Sequence, residues 1–213
     1  MEERARHDLL EALRAVYGSE GCALNFNNAF ELLIATMLSA QTTDVQVNKV
    51  TPALFARCPD AASMAALSQA ELEEMIRSIG FYRMKAAHIL ETCAILDKEY
   101  GGGVPDTMER LTNLPGVGRK TANVVLSNAM GQPHIAVDTH VFRVSNRLGL
   151  AHAKDVLKTE EQLMEAIPRE DWSSAHHWLI WHGRRVCTAR KPDCDHCPAA
   201  LWCETRQRMS GER

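Results

Sequence analysis

The chain of 213 residues is 46% hydrophobic and 24% charged, with a formal net charge of −3, a globular composition long enough for a sizeable core in one or two domains. It has no run of eighteen apolar residues and opens on the charged stretch Met-Glu-Glu-Arg-Ala-Arg-His-Asp, so neither a membrane span nor a secretory signal fits. The small negative charge argues against indiscriminate nucleic-acid binding, but charge acts locally: residues 114–147 hold four Lys/Arg against one acid, and residues 176–208 six against three.

In chain order, residues 4–17 read as an amphipathic helix with Leu9, Leu10, Leu13, Val16 and Tyr17 facing inward. Asn27 or Asn28 can cap the next, whose run from Ala29 to Leu38 is apolar nearly all round and predicts a buried central helix. Ser39-Ala-Gln-Thr-Thr-Asp44 is a polar patch at its mouth, either a simple cap for a helix over 45–55 or part of a site. Ser68 with Glu71 makes a capping box for a helix ending near Gly80, and a longer helix runs from Tyr82 to Tyr100. Gly101-Gly-Gly103 and Pro105 break the chain, and Asp106 with Glu109 starts a short helix that Pro115 stops near Leu114. Gly116 and Gly118 allow a tight hairpin before a helix over 119–130, which Pro133 ends. After an extended connector at 134–137, helices are expected at 139–148, 156–167 and 172–185. Without alternating stretches, heptads or repeats, the chain is essentially all-α.

The helix, hairpin, helix arrangement can bind an anion. Backbone N–H groups at a helix start, unshielded at two glycines, approach a phosphate closely, and the helix dipole favours it. A plain reversal between two helices is the alternative. Lys120 stands in the second helix's first turn, where the dipole and partial burial would both favour a neutral, nucleophilic amine. Asp138 follows Ile135-Ala-Val and precedes helical residues, the position of an N-cap whose carboxylate accepts from backbone N–H groups. Cys187, Cys194, Cys197 and Cys203 place four thiols within seventeen residues of turn-rich chain. Such a set can hold tetrahedral zinc or an iron–sulfur cluster, and a single close pair with longer arms favours the cluster. The odd total of seven cysteines with one group suggests a reducing compartment rather than a disulfide framework. His176, His177, His182 and His196 read as packing or solvent-facing residues, because four thiols already complete the set.

Leu114-Pro-Gly-Val-Gly-Arg-Lys120-Thr-Ala, Val137-Asp-Thr-His-Val141 and the four-cysteine loop together resemble the endonuclease III family of DNA glycosylases. Leu38-Ser-Ala-Gln-Thr-Thr-Asp44, Val47-Asn-Lys49 and Gly80-Phe-Tyr-Arg-x-Lys85 are similar to it too, and the likeness runs from about residue 7 to 205. The resemblance implies an all-α, two-lobed fold with a helix-hairpin-helix motif and a C-terminal iron–sulfur cluster loop. A helical-barrel lobe would span 22–132, residues 1–21 with 133–213 would form the second lobe carrying a [4Fe-4S] cluster on the four cysteines, and the lesion would enter the cleft between lobes.

Lys120 would be the nucleophile and Asp138 the essential acid of a bifunctional glycosylase and abasic-site lyase removing oxidised pyrimidines in base excision repair. Gln41 would fill the gap left by an extruded base. Leu114, Gly116, Gly118, Arg119, Arg184 and Lys191 would contact the backbone of damaged double-stranded DNA. Phe81 departs from the leucine expected to wedge the opposite strand, which touches opposite-base preference. The expected form is a monomer with no membrane partner, in the bacterial cytoplasm and associated with the nucleoid through DNA. A mismatch adenine glycosylase would lack lysine at position 120 and carry a further C-terminal domain. A non-catalytic DNA-binding module leaves Lys120 with Asp138 unexplained, and a purely redox iron–sulfur protein leaves the hairpin unexplained.

Overall fold

The computed structural model describes residues 1–211, which form α-helices joined by turns and two short 3-10 segments, with no strand among them. They divide into two compact units, Cys22–Gly131 and Met1–Gly21 with Gln132–Arg213. The division falls one residue earlier than the sequence suggested.

Helix α1 (Glu3–Tyr17) belongs to the discontinuous unit and buries Leu9, Leu10, Leu13 and Tyr17. Val16 is 50% exposed, so the inward stripe is narrower than expected. In the continuous unit, α2 (Ala29–Ser39) is buried at every position from Phe30 to Leu38. A helix apolar all round has no side to offer water, so its neighbours wrap it. These include α3 (Asp44–Arg57), α6 (Tyr82–Tyr100) and α8 (Arg119–Met130). Its start is fixed by Asn28, whose side chain accepts from Glu31 N–H, while the Glu31 carboxylate accepts from Asn27 N–H at 2.7 Å. Each fully buried leucine along it stabilises the unit by roughly 1.5–3 kcal/mol.

Between α3 and α6 lie α4 (Ala61–Ala65), held by a capping box of Asp60 and Ser63, and α5 (Gln69–Met75), held by that of Ser68 and Glu71. The first was not foreseen, because five residues carry too little periodicity to register. Helix α7 (Met108–Thr112) is capped by Thr107, whose side chain accepts from Arg110 N–H, rather than by Asp106. Helix α8 stops at Gly131, which takes φ +65°, and not at Pro133: the left-handed cap returns its N–H to Leu126 O.

The discontinuous unit adds α9 (Thr139–Leu148), α10 (Val156–Ala166), α11 (Trp172–Arg185) and an unforeseen α12 (Glu204–Ser210). Its core joins α1, α9 and α11 through Leu9, Leu13, Val141, Val144, Leu148, Trp178 and Leu179. Gly183 lets α11 approach α9 closely, because a Cβ there would lie 3.0 Å from Val144 and 3.1 Å from His140.

Candidate active site and metal centre

The hairpin between α7 and α8 is pinned by its apolar residues. Leu114 and Val117 are buried, and Val117 N–H donates to Leu114 O at 3.1 Å. Gly116 has φ +72°, and a Cβ on it would sit 2.8 Å from His88 Nδ1 on α6. Thr92, one turn along that helix, donates from Oγ1 to Pro115 O at 2.9 Å. Gly118 is different: it caps α8 in extended geometry, no side-chain bond is made, and a Cβ there would meet nothing within 4 Å. Internal packing therefore does not demand glycine at 118, and what its bareness provides is close approach from outside. Arg119 and Lys120 follow as the first two helical residues, both exposed. The partial burial expected for Lys120 is absent, whereas its place at a helix start is as expected.

On the other unit, Asp138 is the N-cap of α9. Its Oδ1 accepts from both His140 N–H and Val141 N–H at 2.8 Å. Both bonds fall on one oxygen, so Oδ2 has no protein partner among the described residues. The carboxylate is half-buried and fixed, with half its accepting capacity unused.

The same helix holds the cysteine loop at its far end. Arg143 donates to Cys187 O and Gly183 O, and Arg147 donates to Thr188 O and Ala189 O at 2.8 Å each. Cys187, Cys194, Cys197 and Cys203 all line one largely apolar cavity of about 160 Å³, together with Leu148, His182 and Val186. Among the described residues no three His, Cys, Asp or Glu side chains converge as a single-ion site. Four thiols around a shared, largely apolar space are the donor set of a zinc ion or an iron–sulfur cluster. Burial pushes the Cys197 thiol up to about 11 and raises that of Cys203 as well, so thiolates there call for cationic metal to offset desolvation.

Sequence reasoning treated His182 as a packing residue, and it is fully buried. Its Nε2 also lies 3.6 Å from Cys197 Sγ and its Nδ1 3.1 Å from Tyr17 Oη. Burial depresses its pKa to about 4. The expected DNA contacts are scattered more widely. Arg184 and Arg185 lie over the Trp181 ring, and Arg185 also pairs with Glu20. Arg190 and Lys191 line a surface hollow with Asp193, Asp195 and Arg206 that shares a wall, Cys194 included, with the cysteine cavity. Gln41 is exposed with φ +55° in the turn after α2. The hold of Arg143 and Arg147 on the cysteine loop was missed, although two arginines at i, i+4 on the helix that Asp138 caps were a usable signal.

The helix-hairpin-helix, the exposed Lys120 and the helix cap Asp138 lie within the region, residues 34–169, that matches the family described as HhH-GPD superfamily base excision DNA repair protein. The chain is 46% identical to endonuclease III of Escherichia coli strain K12 over 98% of its own length and 99% of that relative's. Against endonuclease III of Synechocystis the identity is 48%, covering 94% and 92%. The chain belongs to the endonuclease III family. A solved endonuclease III, trapped as a covalent intermediate with DNA, superposes with a TM-score of 0.92 at 45% identity, covering 99% of both chains. The protein is accordingly a base excision repair DNA glycosylase with abasic-site lyase activity.

Proposed function

We propose that the enzyme removes oxidised pyrimidines from double-stranded DNA, with Lys120 as nucleophile and Asp138 as the acid that assists it. The observation that carries this reading is the contrast in how the two side chains are left. Lys120 is exposed on a helix start with no side-chain cap, and Asp138 spends only Oδ1 on its helix. A damaged base leaves the stack at a cost of a few kcal/mol, least where stacking is already poor. The Lys120 amine, once deprotonated, attacks C1′ and the base departs as the C–N bond breaks. The Asp138 carboxylate stabilises positive charge developing on the sugar and accepts a proton from the amine. The ring opens to a Schiff base, which acidifies the C2′ hydrogen; loss of that proton expels the 3′ phosphate and cuts the strand.

Leu114, Gly116, Gly118 and Arg119 are assigned to seating backbone phosphate at the hairpin, with Arg184 and Lys191 as further phosphate contacts that set register without reading sequence. Gln41 is assigned to the gap left by the extruded base and Phe81 to the opposite strand. Cys187, Cys194, Cys197 and Cys203 would hold a [4Fe-4S] cluster, which when bound supplies a cross-link fixing the loop between α11 and α12. One copy carries every residue invoked, which supports action as a monomer. Among the described residues no helix is long and apolar enough to cross a membrane, and buried thiols at Cys58 and Cys93 suit the reducing cytoplasm.

The test is borohydride reduction of the enzyme on a duplex carrying one oxidised pyrimidine, followed by proteolysis and mass spectrometry. The expected adduct maps to the peptide containing Lys120, and an adduct on any other residue overturns the assignment. Iron analysis with an absorption spectrum near 400 nm is expected to show an iron–sulfur chromophore. A colourless zinc protein would remove the cluster from the reading.

A further inference from the structure

Lys85 is a cation in the interior of the continuous unit. It lies on the apolar stripe of α6 with Ile89 and Leu96 and is 5% exposed, and burial lowers its pKa. An ammonium has three donors and no acceptor. All three are used here: Leu38 O at 2.8 Å, Ala40 O at 2.6 Å and Thr42 Oγ1 at 3.2 Å. None of these partners is an acid, so the lysine is placed to organise backbone and not to neutralise charge. Its acceptors are the closing carbonyls of α2 and the turn after it, the negative end of a helix dipole.

The turn so held contains Gln41. Phe81 stands at the start of the same helix, where its carbonyl accepts from the Lys85 backbone N–H at 3.1 Å, a bond independent of the side chain. Gln41 and Phe81, with φ +55° and +56°, are the two non-glycine residues of positive φ among those described. Their turns touch, because a Cβ on Gly80 would lie 3.4 Å from both Gln41 O and Thr42 Oγ1. Phe81 is 60% exposed, a large apolar ring held out in water. Left-handed backbone at bulky residues persists only where the surroundings impose it. Here one buried side chain holds the Gln41 turn, and the Gly80–Phe81 turn packs against it.

We propose that Lys85 is a positioning residue for base extrusion, locking the Gln41 turn directly and, through the contact of that turn with Gly80, supporting Phe81, so that the two strained residues stand as a preset pair of probes. The proposal rests on the reading of Gln41 and Phe81 as the residues that enter the duplex. Because the strain is set before DNA arrives, the probes need no reorganisation when they insert. Losing the ammonium lets the Gln41 turn relax to ordinary backbone angles and removes the surface on which the Phe81 turn rests. Extrusion from a well-paired duplex then suffers, while a lesion that is already unpaired is processed with less loss.

The experiment compares single-turnover excision by the holoenzyme on a lesion in a fully paired duplex and on the same lesion in a mismatched bulge. A 2-aminopurine beside the lesion reports extrusion, and circular dichroism with iron content reports folding. For Lys85→Met the paired substrate should lose roughly tenfold to a hundredfold more rate than the bulged one, the range set by releasing two strained residues. The 2-aminopurine signal should fall in parallel, and Lys85→Arg should restore part of both. Equal losses on the two substrates, or no loss, overturn the proposal. If Lys85→Met does not fold, Thr42→Val, which removes one acceptor at nearly constant shape, is expected to move the same ratio in the same direction. Gln41→Ala and Phe81→Ala run alongside. If neither changes the ratio, the probe assignment itself is wrong, whereas a change there without one in Lys85→Met sinks only the role of Lys85.

Discussion

At the start of α8 the cap is Gly118, which offers the first turn no side-chain acceptor and would meet nothing if it carried a Cβ. The start of α9 is capped by Asp138, whose Oδ1 closes two backbone N–H groups at 2.8 Å. Both are helix starts of similar length in a small enzyme, yet one is kept open and the other is satisfied from within. An open start can receive an outside anion, and a closed one makes its own carboxylate immobile. On the proposed assignments, the same backbone feature serves binding in one unit and chemistry in the other.

The largest way to break the comparison is Lys120→Gln. That variant is expected to bind damaged duplex with unchanged salt dependence and to give no borohydride-trapped complex at all. Asp138→Asn comes next, because asparagine caps a helix about as well as aspartate. Single-turnover excision should fall on the order of 10²–10⁴-fold, with the melting temperature nearly unmoved. A matching loss of stability would show that the carboxylate mattered only as a cap.

Acid separates the units. Burial, helped by the Arg184 guanidinium, depresses the His177 pKa to about 4, against about 6.5 when unfolded. The unfolded chain therefore takes up a proton that the fold refuses. His177 contributes stability that is full above pH 6.5 and declines as pH falls toward 4, by on the order of 3 kcal/mol, and buried His182 in the same unit adds a decline of the same sign. His177→Gln should remove about half of their joint decline in urea titrations across the range. Gly118→Asp would close the open start with a charge: DNA affinity should drop roughly tenfold at low salt from like-charge repulsion, even as the helix gains a cap. Gly118→Ser, the smallest change, should raise stability by only a few tenths of a kcal/mol while lowering DNA affinity less than Gly118→Asp does, because it covers the open N–H groups without adding charge.

How much of this was written locally explains what could be read from the sequence. The hairpin, the Asp138 cap and the cysteine spacing each lie within about twenty residues, so their chemistry is visible in one window. Helix α2 was legible because an apolar run of that length has no other home. What escaped joins distant residues. Tyr17 reaches His182 across 165 positions, Arg143 reaches Cys187 across 44, and Lys85 reaches Leu38 across 47. Lys85 could have been flagged as a charge on a core stripe, but its acceptors are backbone carbonyls, which look the same at every residue. The exposure of Lys120 was equally hidden, since one turn of helix fixes a direction and not a depth.

Helix α6 has a final property. It carries Phe81 at its start, Lys85 one turn in, and the hairpin contacts His88 and Thr92 two and three turns in. Eleven residues of helix between Phe81 and Thr92 span about 16 Å, on the order of five nucleotide steps along one strand. On the proposed assignments, that rod sets the interval between the phosphate seated at the hairpin and the base met by Phe81, like a gauge cut to length. A turn inserted into it would then shift that interval at every site alike, whatever its sequence.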